Sequence, residues 1–514
     1  MKILRKNGED LLTYAERISE LYSEKYPLDT RKKRGQIFTP STIGKFMVNL
    51  FNINKTKINI LDPGAGTGLL TVAFCDKILR ENSTFEIEVD LYESDENVIY
   101  YLKNILNECK KDLKAKGHKF KYNIFIEDFI FSQKFADEEL NVFGEKFEKY
   151  DFVISNPPYF KLNKDSEYLD INKNSVYNQP NIYTLFMMLA TNIANSNGEL
   201  VFIVPRSFCS GVYYKKFRKW FLNKVFIENI HIFESRNQIF KKDKVLQENI
   251  IIKFSKGMNE NTNIIISNSE NELFDDMNNF EALFESIIYK KNHEIFIRVP
   301  SSELDLEILK KVDEFPNVLN DIGLKISTGP VVPFRAKEHL TKDINQISDV
   351  VPLLWIHNLQ NMNIVWPNGN KKKEPGIIFS ELTKKLLIPL KNYVLLSRFS
   401  SKEQGKRLIA SPLFKSKFDF ERIGIENHLN YIHREDGDLS EEEIMGISIF
   451  LNTSIIDRFF RSLNGNTQVN ATEIRSIPLP SLNDIKKIGI EAIINARESP
   501  DKIVQKVLNI GFEC

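Results

Sequence analysis

The chain has 514 residues, with 70 Lys and Arg against 69 Asp and Glu and a formal charge of +1. That length suits two or three domains whose cores need no covalent staples, and the balanced charge excludes a global field drawing the chain to nucleic acid or membrane, so any basic surface must be local. Four cysteines, Cys75, Cys109, Cys209 and Cys514, lie far apart with no CxxC spacing, which fits a reducing compartment and argues against a thiolate metal site.

No basic-then-apolar leader opens the chain, and no apolar run approaches the ~18 residues that cross a bilayer. A soluble intracellular (cytoplasmic) protein is expected. Residues 1–30 read as a helical extension built on "DLLTYAERISELYSEKY", followed by Pro27 and the polar "TRKKRGQ", read as a flexible entry. From 36 to 254, short apolar runs alternate with helix-like stretches. The runs are "INILD", "EIEVDLYE", "YNIFIED", "YDFVIS", "GELVFIVP", "FIENIHIFE" and "NIIIKF". Strand-length runs alternating with helices predict an α/β, Rossmann-like doubly wound domain with a mostly parallel sheet of seven strands. After Phe254 the Asn-rich "SKGMNENTNIIISNSENELFDDMNN" reads as a loop or weakly ordered hairpin. Residues 300–514 lose the βαβ rhythm and predict a separate α+β domain, leaving 31–299 for the doubly wound one.

Within the first domain, "INILDPGAGTGLLTVAF" is strand, glycine turn, helix. Glycines there permit positive φ and close approach of a ligand to the backbone, and the following helix N-terminus favours a negative group. The spacing is GxGxG, neither the full dinucleotide fingerprint nor a GxxxxGK[ST] loop. Glu93 ends the next strand, 31 residues beyond Asp62, where a carboxylate suits ribose hydroxyls. An adenosine-containing cofactor is expected, although a tight turn beside a surface carboxylate would look the same.

The fourth apolar run meets "SNPPY" (155–159). Two prolines cannot donate to a ladder, and each fixes φ near −65°, so the strand must stop at Ser155. The stiff turn presents the Asn156 amide, the Pro157 carbonyl and the Tyr159 ring. Pro-Pro alone is a strand terminator; the company it keeps decides.

"GQIFTPSTIGKFMVNLF" (35–51) precedes the glycine loop, and with "SNPPY" after the fourth strand the order resembles the gamma-class (TaqI-like) DNA adenine-N6 methyltransferases of type II restriction–modification systems. The resemblance runs through 31–254 and returns in pieces at "SRFSSKEQGKRLIASP", "IENHLNYI" and "NGNTQVNATEIRSIPLP". It implies S-adenosylmethionine as cofactor. Thr39, with Pro40 beside it, and Asp62 would lie near its methionine end. Gly64, Ala65, Gly66 and Gly68 would form the loop, Glu93 would hold the ribose, and Asp128 and Phe129 would meet the adenine ring. Asp128 could instead simply cap a helix. Ser94 stands where the family often has a hydrophobic residue.

Adenine's exocyclic nitrogen is a poor nucleophile because its lone pair is delocalised. Two preorganised acceptors, Asn156 Oδ1 and the Pro157 carbonyl, held by Pro157 and Pro158, would turn that lone pair toward the methyl donor. Tyr159 would stack on a base flipped out of the duplex. Phe240, in "NQIFKKDKVLQENIIIKF", would stack from the other side, and Asn181 and Tyr183 are further pocket candidates.

Between Val365 and Phe420 there are twelve Lys or Arg and four Asp or Glu, a local excess suited to phosphate contacts. Arg398, Lys402, Lys406 and Arg407 are the candidates for the DNA backbone. Gln468 and Asn470, with Asn466, would read base edges or merely cap the "ATEIRS" helix. The expected partners are double-stranded DNA and a restriction endonuclease on a separate chain, with this protein a monomer and no metal. Two alternatives remain at this point: methylation of a glutamine or guanine nitrogen in a translation factor or ribosomal RNA, and a non-catalytic DNA-specificity protein.

Overall fold

The computed structural model describes residues 3–133, 149–163, 165–170, 181–235, 248–257, 263–291, 294–344, 349–370 and 372–510. The chain forms two units, Met1–Tyr289 with Ile295–Ser301, and Lys290–Glu294 with Ser302–Cys514.

The first unit is built on nine strands: β1 (Lys57–Pro63), β2 (Glu86–Tyr92), β3 (Lys119–Phe125), β4 (Tyr150–Ser155), β5 (Ala194–Pro205), β6 (Val225–Phe233), β7 (Asn249–Lys256), β8 (Asn263–Ser269) and β9 (Asn278–Leu283), in the spatial order β3-β2-β1-β4-β5-β7-β6-β8-β9. Strands β3 to β5 pair in parallel, and β7 runs antiparallel to both β5 and β6. Strand order reverses between β1, which leads to β2 and β3 on one side, and β4 on the other. In open α/β sheets such a reversal leaves a crevice at the carboxyl ends of the strands. Ser155 Oγ donates to the Pro63 carbonyl at 2.9 Å and ties those two ends together.

Helices α1 (Leu11–Lys25), α2 (Leu28–Lys33), α3 (Ser41–Asn49), α4 (Leu69–Ile78), α5 (Glu96–Ala115), α6 (Phe129–Ser132), α7 (Glu167–Asp170), α8 (Ile182–Ile193) and α9 (Lys215–Lys224) belong to the same unit. Tyr14, Ile18 and Tyr22 of α1 are wholly buried, in one core with Ile43, Val72, Leu102, Val89, Ile154 and Ile203. Each such side chain contributes roughly 1.5–3 kcal/mol of burial. The first helix is therefore part of the domain's core. On α8 every residue but Asn192 is buried, as suits a helix covered on all sides.

The sheet carries nine strands where seven apolar runs were read. Of the two additions, β8 lies inside the Asn-rich stretch and β9 begins at its last two residues, Asn278 and Asn279, and runs on to Leu283. Ile264 and Ile266 are fully buried while Ile265 between them is 41% exposed, a period-two alternation that the surrounding asparagines hide from a compositional reading.

The second unit is α+β, with a four-stranded sheet (Lys325–Thr328, Leu429–His433, Tyr393–Ser397, Ala410–Leu413) and a five-stranded one built from pieces of two to five residues. Its helices Glu441–Leu451 and Leu482–Ile494 cross at two glycines, where a Cβ on Gly446 would sit 1.9 Å from the Ile485 carbonyl oxygen. Among the described residues no helix is long and apolar enough to cross a membrane.

Candidate active site

The glycine turn after β1 is held open by its neighbour strand. Gly64 N and Ala65 N both donate to the Tyr92 carbonyl at 2.9 Å, and Gly66 N donates to Glu93 Oε2 at 2.9 Å. Gly64 and Gly66 adopt φ of 80° and 56°, values that only glycine takes freely. Gly68 is required twice over, by a φ of 92° and by packing, since a Cβ there would lie 2.6 Å from a methyl of Leu102.

Two carboxylates flank this turn. Glu93 is buried, its Oε1 accepting from Asp95 N at 2.8 Å, and burial raises its pKa. Asp62 accepts from the Thr71 hydroxyl at 2.7 Å through Oδ2, while its buried Oδ1 has no partner. Burial, with Glu93 nearby, pushes Asp62 up to about 7. A buried carboxylate oxygen without a donor is costly, and a cationic ligand group would satisfy it.

Asp128 both caps and lines. Its Oδ1 accepts from Ile130 N at 2.8 Å at the start of α6, and its Oδ2 accepts from the Tyr168 hydroxyl at 2.7 Å. Phe129 is buried with its ring 5.3 Å from Phe186 and 5.2 Å from Tyr92.

The Asn-Pro-Pro-Tyr turn follows β4. Asn156 Nδ2 donates to the Ile37 carbonyl at 3.1 Å and to Thr39 Oγ1 at 3.0 Å. Asn156 Oδ1 accepts from the Tyr159 hydroxyl, which also lies 2.8 Å from the Ile203 carbonyl. The Tyr159 ring meets Tyr183 edge-on with centroids 6.5 Å apart, and burial holds its phenol well above the ordinary range. Asn181 caps α8, and the buried Tyr183 hydroxyl shares a 3.0 Å hydrogen bond with Ser207.

A cavity of about 310 Å³ gathers these pieces. It is lined by Thr39, Gly64, Ala65, Gly66, Glu93, Asp128, Phe129, Asn156 and Pro158, and also by Arg34, Gln36, Phe38, Tyr168 and Phe186. Pro40, Asp62, Gly68, Pro157 and Tyr159 are not among the lining residues but lie close to them in the chain or by hydrogen bonds, Tyr159 through Asn156 Oδ1. Phe240 lies outside the described residues.

The segment read as a flexible entry contributes more than expected. Arg34, Gln36 and Tyr22 all donate to Asp95 Oδ2, Tyr22 at 2.7 Å and Gln36 at 2.9 Å. Burial alone would raise Asp95, but these bonds, with those from Asn97, outweigh it and hold the carboxyl at about 2. Asp95 is also the N-cap of α5, its side chain accepting from Asn97 N, and an acidic residue before "ENVIYYL" is the one local signal that marks it. Tyr22, Arg34 and Gln36 stand 59 to 73 positions away.

In the second unit the candidate DNA contacts divide. Arg407 is 2% exposed, its guanidinium donating to Ser400 Oγ at 3.0 Å, to the Asn464 carbonyl at 3.1 Å and to the Asn466 carbonyl. It is an internal strut and not a phosphate contact. Its place beside Lys406 in the basic run concealed this, because a run does not say which member turns inward. Asn470 takes the capping alternative, its N donating to Glu473 Oε2 at 3.1 Å and its Nδ2 lying 3.4 Å from Oε1. Arg398 donates to the Asn427 carbonyl at 3.0 Å, and with the Gln468 amide turned oxygen-inward, that oxygen lies 2.6 Å from Arg398 Nη2. Lys406 Nζ donates to the Asn452 carbonyl, and the Lys402 carbonyl accepts from Arg461 at 2.7 Å.

Residues 45–240 match the model of the Eco57I restriction-modification methylase family. Over 484 residues the chain is 34% identical to type II methyltransferase M.PstI of Providencia stuartii, covering 93% of this chain and 94% of that one. Over 493 residues it is 35% identical to type II methyltransferase M.BsuBI of Bacillus subtilis, covering 94% and 95%. The fold is similar to that of the type IIL restriction-modification enzyme MmeI, solved in complex with DNA, at a TM-score of 0.56 and 13% identity over 97% of this chain and 76% of that one.

Proposed function

Because the chain belongs to the type II DNA methyltransferases of restriction–modification systems, we propose that it methylates the N6 amino group of an adenine flipped out of duplex DNA. One observation carries the reading: Asn156 and Pro158 of the catalytic turn line the same cavity as the glycine turn, Glu93, Asp128 and Phe129. Donor and acceptor can therefore meet.

The cofactor is S-adenosylmethionine, which supplies an electrophilic methyl carbon. The residues present fit it. Asp62 offers an unpartnered buried oxygen suited to the methionine ammonium. Glu93 suits the ribose hydroxyls through lone pairs left after its two amide bonds. Asp128 and Phe129 suit the adenine ring, with Phe186 closing the apolar side.

Asn156 Oδ1 and the Pro157 carbonyl accept the two N–H groups of the target amine. The nitrogen is thereby drawn toward a tetrahedral shape with its lone pair free, at little reorganisation cost because the prolines hold the turn in place. No strong base is required, since the methylated nitrogen becomes acidic and sheds its proton afterwards. Tyr159 and Phe240 enclose the base. Residues 31–299 perform this chemistry and residues 300–514 read the target, with Arg398, Lys402 and Lys406 near the phosphates and Gln468 at the bases. The protein acts in the cytoplasm as a monomer, protecting DNA from a separate endonuclease.

Long-read sequencing of DNA from cells expressing the chain tests this. Modified adenines in one recurring context are expected. DNA left unmarked at adenine while the protein is abundant overturns the reading.

A further inference from the structure

Asn156 works as an acceptor only if its carboxamide faces the right way, and a carboxamide can sit either way round at nearly equal steric cost. What surrounds Asn156 decides the matter. A backbone carbonyl can only accept, so the Ile37 oxygen at 3.1 Å demands the amide nitrogen. Thr39 Oγ1, at 3.0 Å, takes the second amide proton. With both protons engaged on one side, Oδ1 must point to the other.

Those two partners belong to a short strap, residues 34–39, that touches the catalytic turn a second time. Gly35 has a φ of 69°, and a Cβ added there would lie 2.7 Å from Pro158 Cβ. The strap is pinned in turn by Asp95, which receives Arg34 and Gln36 on one oxygen and whose own N–H donates to Glu93 Oε1 at 2.8 Å.

We propose that the strap is a positioning clamp for the reaction: Thr39, with the Ile37 carbonyl, sets the polarity of the Asn156 carboxamide, and Asp95 holds the strap in register with Glu93. This rests on the methyl-transfer reading above and gives Thr39 a different task from contacting the cofactor's methionine end. Replacing Thr39 by valine keeps the shape and removes the acceptor, so one amide proton loses its partner and the flipped carboxamide, which repels an amine, gains population. Serine restores the oxygen.

The test compares wild type, Thr39→Val, Thr39→Ser and Asp95→Asn. Single-turnover transfer of tritiated methyl groups is measured on long amplified DNA, which carries no methylation, and the Kd for S-adenosylhomocysteine is measured by calorimetry. For Thr39→Val the transfer rate is expected to fall roughly ten- to a hundredfold with Kd within about twofold, the retained binding also showing that the variant is folded. Thr39→Ser is expected to regain most of the rate, and Asp95→Asn to lose less than the valine variant. A Thr39→Val enzyme that transfers at the wild-type rate, or whose loss lies wholly in Kd, overturns the clamp while leaving the methyltransferase reading intact. Wild type that labels no DNA overturns both.

Discussion

The Asn-Pro-Pro-Tyr turn of the first unit and the basic segment of the second both promised function through polar side chains, yet they spend those side chains in opposite ways. Around Asn156 the Ile37 carbonyl and Thr39 Oγ1 engage the amide nitrogen on one side of the carboxamide, while the oxygen on the other side holds the Tyr159 hydroxyl, a partner it can exchange, in a residue that lines the same cavity as the glycine turn. Around Arg407 the partners surround the guanidinium, which is turned wholly inward. A polar residue is a candidate for chemistry when its hydrogen bonds are lopsided and a candidate for architecture when they close around it.

The largest effect that would break this contrast is at Asn156. Asn156→Ala is expected to lower the transfer rate by about 10²–10³-fold with donor affinity kept, as for other preorganised groups that act on developing charge. An equal collapse of donor binding would make Asn156 architectural. Arg407→Met should do the reverse, lowering thermal stability by about 2–3 kcal/mol because three acceptors lose a buried donor. Weaker DNA binding at unchanged stability would return Arg407 to the surface role.

Glu93→Ala sharpens the picture of the donor side. Its donor Kd should rise about ten- to a hundredfold, the scale of hydrogen bonds to a charged group, and calorimetry reads this directly. Asp62 adds a pH dependence. Its carboxyl stands at about 7 in the free protein, and pairing with a cation lowers that value. Donor affinity is then full above pH 7 and is lost as pH falls through 7, by up to about tenfold per unit. Asp62→Asn should flatten the profile. The smallest effect belongs to Lys402 and Lys406. Replacing both with alanine should weaken all DNA sequences alike, by a few-fold at moderate salt, and make the slope of log K against log salt shallower by up to about two. A change in sequence preference alone would mark them as base readers.

What could be read in the sequence follows the range of the interactions. "DPGAGTG", Glu93 and "SNPPY" are local devices: each is a strand end followed by a turn whose geometry its own residues impose, so the doubly wound order places them at one edge of the sheet. Asp95 was opaque because the donors it gathers come from α1 and from the strap, dozens of residues upstream, and no periodicity records them. The basic segment failed differently. Composition counted Arg407 correctly as a charge but could not say that Asn464 and Asn466 present carbonyls to it. The two added strands were hidden because asparagines, normally turn formers, sit beside buried isoleucines in β8.

The phenol of Tyr159 already rests on Asn156 Oδ1 and the Ile203 carbonyl before any base arrives. The acceptor is thus never bare: an incoming purine trades its own N–H for the O–H it displaces, one hydrogen bond for another. A phenylalanine at 159 would leave that oxygen to water, so base entry would then begin with drying the pocket instead of exchanging partners within it.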